Sequence, residues 1–140
     1  MQTLELRQVN KSFGSLHVLD SVNIRIEKGE FAAIVGPSGC GKSTALRMFA
    51  GLETADSGEV LADGKRITSP APERMMIFQE HALYPWLTVE KNVGLGLELA
   101  NIPKKERLER INRVLEKVNL AGFNAYYPSQ LSGGMRQRVA

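Results

Sequence analysis

"FAAIVGPSGCGKSTALRMFAG", residues 31–51, joins an apolar run, a glycine-rich turn and an apolar-striped segment end to end. The run FAAIV, residues 31–35, has the length and continuity of a strand buried on both faces in an α/β sheet. Beyond the turn, Ala45, Leu46, Phe49 and Ala50 fall on one helical stripe, and Gly51 stands where a helix takes its C-cap. The turn GPSGCGKST, residues 36–44, fits G-x-x-x-x-G-K-[ST] with Gly36, Gly41, Lys42 and Ser43 at the fixed positions.

Each residue type in that turn has a physical reason. Glycines allow successive backbone N–H groups to point into one concavity and let the chain approach a polyphosphate closely. The helix that follows directs its positive N-terminal end at the same place. Lys42 can reach the β- and γ-phosphates as a point charge, and Ser43 offers a hydroxyl to Mg²⁺. A glycine turn could serve packing alone. The strand before it and the striped helix after it instead favour a nucleoside triphosphate site formed by Gly36, Ser38, Gly39, Cys40, Gly41, Lys42, Ser43 and Thr44.

Upstream of the turn, residues 3–9 and 18–27 alternate as half-buried strands, with Val22, Ile24 and Ile26 sharing a face. Downstream, GEVLADGKRI reads as two short strands around the hairpin signal Asp63-Gly64, and RMMIFQ, residues 74–79, as a further buried strand. From Thr88 the chain becomes helical. One helix is expected over residues 88–100 despite Gly94 and Gly96. A second follows Pro103, with Leu108, Ile111, Leu115 and Val118 on its apolar face. A final basic helix opens at LSGGM, where Ser132 can cap and Gly133 and Gly134 leave the first N–H groups uncovered. The organisation read from this is an α/β core over residues 1–87 and a helical subdomain over 88–140.

Composition sets outer bounds. The chain has 140 residues, 43% of them hydrophobic, enough for a compact core. A net charge of +3 gives no argument for nucleic acid. The single Cys40 permits no internal disulfide, and no stretch approaches the 18 apolar residues of a membrane span.

The guanine-reading pattern Asn-Lys-x-Asp is absent: NKSF, residues 10–13, lacks the aspartate. The phosphate loop and LSGGM occur together about ninety residues apart, and over its whole length the sequence resembles the nucleotide-binding subunit of ABC transporters. The resemblance implies a P-loop NTPase fold with an antiparallel β subdomain and a helical subdomain. It implies ATP and Mg²⁺ as cofactors, with Phe13 stacking on adenine and Val18 beside the same base. Gln79, in FQEHALYPWLTV, matches the glutamine that reaches Mg²⁺ and the attacking water, so the implied metal contacts are Ser43 and Gln79 and the catalytic ones Lys42 and Gln79. Ser132 and Gly134 would contact the γ-phosphate held by a second, head-to-tail subunit, and Gln130 would add a ribose contact. Met135 departs from the glutamine commonest at its position, which leaves nucleotide contact to the serine and the glycine backbone.

Implied partners are that second subunit, transmembrane permease subunits near Tyr84 to Trp86, and indirectly a solute-binding protein, at the cytoplasmic face of the membrane. YPWLTVEKNVGLGLEL, with Trp86 after Pro85, is similar to importers of nitrate, sulfonate and taurine-type anions. Two rival readings are a soluble ABC-type ATPase acting on ribosomes or DNA, disfavoured by the absence of a long coiled-coil insertion, and a non-catalytic nucleotide-binding fragment.

The family pattern continues past the signature with an Mg²⁺-binding aspartate, a general-base glutamate and a histidine, and none stands after Arg138. His17 and His81 precede the signature, and Glu53, Glu59 and Glu80 lie in the wrong context for the base. The 140 residues are therefore expected to be an N-terminal fragment, truncated after the signature, that cannot hydrolyse ATP efficiently and folds poorly alone.

Overall fold

The computed structural model describes residues 2–78 and 82–140. They form two compact units, one running to Met76 and one from Ile77 to Ala140.

The first unit is a four-stranded antiparallel sheet with one helix on it. Its elements are β1 (Leu4–Phe13), β2 (Leu16–Ile26), α1 (Lys42–Ala50), β3 (Ser57–Ala62) and β4 (Lys65–Arg66), with sheet order β2-β1-β3-β4. Strands β1 and β2 pair from Leu4 opposite Ile26 to Phe13 opposite Leu16, so both outgrow their alternating runs and meet at a tight turn. Asp63 and Gly64, at φ 48° and 73°, join β3 to β4 as the primed hairpin turn that their pairing predicts.

Leu6, Val9 and Leu19 meet on one face because the β1–β2 register shifts between Leu6 and Val9, with Gln8 at φ 48°, and there Ala45, Met48 and Phe49 of α1 and Val60 of β3 close the core. Burial of each large side chain is worth about 1.5–3 kcal/mol. The helical stripe differs from the expected one by one position. Met48 is fully buried and Leu46 is 46% exposed, because residues 45, 48 and 49 share a face and Leu46 lies a quarter-turn round from Ala45. Gly51 closes the helix with φ 77°, its N–H donating to the last-turn carbonyls.

Two expected strands are absent among the described residues. Residues 31–35 and 74–78 are irregular chain, with Phe31 94%, Val35 90%, Met75 88% and Ile77 82% exposed. A strand requires a neighbour for its backbone N–H and C=O groups. Among the described residues β1 to β4 pair only with one another, and neither run has a ladder partner. The antiparallel subdomain has thus formed, and the buried strands expected beside the phosphate loop have not.

The second unit is helical: α2 (Val89–Leu99), α3 (Lys104–Lys117), a 3-10 turn at Pro128–Gln130 and α4 (Gly133–Val139). Thr88 caps α2 through its hydroxyl, and Pro103 immediately precedes α3. Gly94 has a packing reason: a Cβ there would lie 2.7 Å from Ile111 Cδ1, so its absence lets α2 and α3 approach. Ile111 and Leu115 of α3, with Val89, Leu120, Leu131 and Val139, form the core, and Val118 packs half-buried at its margin.

Candidate functional site

The loop of residues 36–41 delivers the chain to α1, which begins at Lys42. Gly41 precedes it at φ 88° with no side-chain cap, so the first-turn N–H groups are left to other acceptors. Only glycine fits there. A Cβ would lie 2.6 Å from Leu19 Cδ2 and 2.9 Å from the Val18 carbonyl oxygen, which shows the loop resting on β2. At Gly36 a Cβ would meet Cys40 Sγ at 2.8 Å, so the two ends of the loop close on each other.

Lys42 lies across this loop. Its ammonium donates to the carbonyl oxygens of Gly36 at 2.9 Å and Pro37 at 2.6 Å, and stands 3.6 Å from Cys40 Sγ. Ser38, Gly39, Cys40 and Ser43 are exposed or half-buried, as is Thr44. Cation, uncovered helix start and accessible hydroxyl occur together, which is the donor set that a polyphosphate with a divalent cation requires.

Phe13 ends β1 and is 48% exposed, so the ring offers surface to a ligand. Val18 is half-buried, and its Cγ1 is 3.2 Å from where a Gly41 Cβ would stand. One hairpin thus carries the aromatic and supports the phosphate loop.

Charged residues hold that hairpin in a way the motifs do not reveal. Lys11 is 8% exposed. Its ammonium lies 2.7 Å from Glu53 and 3.3 Å from Asp56, and donates to the Thr54 carbonyl oxygen at 2.8 Å. The bond to Glu53 raises the Lys11 pKa above its usual value, and the same bond lowers that of Glu53. Asp56 is lowered chiefly by the Ser12 N–H, which donates to it at 2.7 Å, and then by Lys11. The sequence carries no local signal for Lys11: the alternation of Leu4 and Leu6 would turn it outward, and the irregularity between Leu6 and Val9 reverses that parity and brings it inward.

The second unit holds the remaining candidates. Ser132 caps α4 by accepting from the Met135 N–H at 3.3 Å, which leaves its own O–H available as a donor. A Cβ at Gly133 or Gly134 would meet nothing within 4 Å, so the helix start is open. Gln130 has its side-chain oxygen engaged by the Tyr127 N–H at 2.8 Å. The rings of Tyr84 and Trp86 lie 5.5 Å apart and are 45% and 69% exposed as whole residues. Asn92 of α2 fixes their loop. It accepts from the Tyr84 N–H and donates to the carbonyls of Tyr84, Leu87 and Thr88, a role its sequence position did not signal. Gln79 lies outside the described residues. No helix among the described residues is long and apolar enough to cross a membrane.

Known proteins are similar to this chain in sequence and fold. The chain is 45% identical over 142 residues to the aliphatic sulfonates import ATP-binding protein SsuB of Bacillus anthracis, covering 99% of this chain and 55% of the relative. It is 47% identical over 141 residues to the nitrate import ATP-binding protein NrtD of Synechocystis sp. (strain ATCC 27184 / PCC 6803 / Kazusa), covering 98% and 53%. The chain therefore spans about half the length of these curated relatives. Among solved structures, the dimeric post-hydrolysis state of the ATP-binding cassette MJ0796 bound to ADP and Pi superposes with a TM-score of 0.84 at 33% identity, over 97% of this chain and 66% of that one. The family model described as ABC transporter matches residues 19–140, and with the phosphate loop heading α1 and the signature heading α4 this chain belongs to the ABC transporter ATP-binding family.

Proposed function

We propose that the complete protein is the ATP-binding subunit of an importer and uses ATP binding and hydrolysis to move a small solute across a membrane. The observation that carries this reading is the Lys42 ammonium lying across an exposed glycine loop whose geometry excludes a Cβ at Gly41. ATP supplies the phosphoanhydride bond whose cleavage drives the cycle. The Gly36–Thr44 loop and the first turn of α1 would bind its phosphates, with Lys42 exchanging two loop carbonyls for phosphate oxygens. Ser43 would hold Mg²⁺, with Gln79 as the second contact. Phe13 would stack on adenine, worth about 1–3 kcal/mol per base, with Val18 alongside.

Ser132 and the Gly134 backbone would reach the γ-phosphate bound by a head-to-tail partner subunit. Binding then closes the pair and hydrolysis opens it. Gln130 is a weaker candidate for ribose, since its oxygen already serves the Tyr127 N–H. Hydrolysis is assigned to a chain that also carries the aspartate and general-base glutamate of the family pattern. The exposed Tyr84 and Trp86 would meet the permease, itself served by a solute-binding protein, at the cytoplasmic membrane face. We propose nitrate or a sulfonate-type anion as the solute, on the likeness to SsuB and NrtD and on Trp86.

Uptake of labelled nitrate and alkanesulfonates by cells with and without the gene tests the solute. Co-purification of the permease tests the contact: Trp86→Ala should weaken it, and undiminished recovery would remove Trp86 from the interface.

A further inference from the structure

The Lys11 cluster stands outside every motif, yet it touches the ring assigned to the nucleotide base. Lys11 and Phe13 are two residues apart on β1 and share one face. The Lys11 ammonium lies over the Phe13 ring, 5.1 Å from its centroid. Three acceptors fix it there: the Glu53 carboxylate, the Asp56 carboxylate and the Thr54 carbonyl oxygen. An ammonium has three protons to donate, and this arrangement occupies all of them.

The acceptors all belong to the segment between α1 and β3. The same segment grips the backbone of β1 on both sides of Lys11, since the Asp56 N–H donates to the Asn10 carbonyl and the Ser12 N–H donates to Asp56. At this point the β1–β2 register shifts, so the ladder alone does not set the course of residues 9–12. Two residues beyond the C-cap of α1, therefore, a bracket holds the strand end that presents Phe13. The helix that starts at the phosphate loop ends at the support of the aromatic.

We propose that Lys11, held by Glu53 and Asp56, is a positioning residue for base recognition: it occupies one face of the Phe13 ring and fixes its direction, so that the purine stacks on the free part. This rests on the reading of Phe13 as the base-stacking aromatic. A residue that only stabilised the unit would weaken every ligand alike. A positioning residue weakens the ligand with a base and spares the one without.

The test measures the affinities of the complete protein for Mg-ATP and for Mg-bound inorganic triphosphate, and takes their ratio. Phe13→Ala should lower the preference for ATP about tenfold. Lys11→Met, or Lys11→Gln if the apolar variant fails to fold, should lower it about threefold to tenfold, with inorganic triphosphate affinity within about twofold of the parent. Lys11→Arg, which keeps a cation over the ring, should recover most of it. If Phe13→Ala lowers the ratio and the Lys11 variants leave it unchanged, the positioning role is overturned and the stacking role survives. If Phe13→Ala also leaves it unchanged, the base-stacking reading itself falls.

Discussion

At the scale of single residues, the phosphate loop makes the sharpest demands. Gly41 combines φ 88° with a Cβ position 2.6 Å from Leu19, so Gly41→Ala adds a strained backbone and a clash at once. Thermal or denaturant unfolding should show a loss of about 1–3 kcal/mol; parent-like stability would mean that the loop does not rest on β2. Cys40 is exposed within the same loop. Bound ATP should slow its alkylation, and equal labelling rates with and without nucleotide would place the thiol away from the ligand. The loop residues are legible in the sequence alone, because the chemistry of a phosphate cradle restricts each fixed position. Lys11, Glu53 and Asp56 are not, because their meeting depends on β1 lying beside the segment between α1 and β3, and no local spacing encodes that pairing.

At the scale of elements, local patterns suffice where an element satisfies itself. Helices close their own hydrogen bonds, so α2 and α3 are readable from caps and periodicity, and the Asp63-Gly64 hairpin from its turn. FAAIV and RMMIF fail as strands for the opposite reason: their patterns are sound, but a ladder needs a partner, and the described residues supply none. The Lys11 bracket gives the element scale its pH dependence. Glu53 and Asp56 have lowered pKa values, so their stabilisation is complete above their usual values of 4.5 and 3.8 and is lost as pH falls below them. Lys11 is raised, so its share is complete below the usual 10.5 and is lost only as pH rises above that. Stability of the complete protein should therefore fall on the acid side, and Glu53→Gln should flatten that limb; an unaltered acid limb would show that the bracket contributes nothing. In the second unit Ser132 caps α4, and Ser132→Ala should cost about 1 kcal/mol of stability.

At the scale of the whole molecule, the two helix starts proposed to bind phosphate lie in separate units, one heading α1 and one heading α4. In the head-to-tail pairing proposed above, each would face a site shared with another subunit. Ser132→Ala should accordingly impair nucleotide-driven dimerisation, followed by analytical ultracentrifugation, while leaving ATP binding to the isolated subunit near the parental value. The central claim is that the Gly36–Thr44 loop binds ATP through Lys42. Calorimetric titration of the complete protein with Mg-ATP, beside its Lys42→Ala variant, tests it most directly. Saturable binding that weakens about ten- to hundredfold or more in the variant is the predicted result. Equal affinity in the two proteins, or no binding to either, would contradict it.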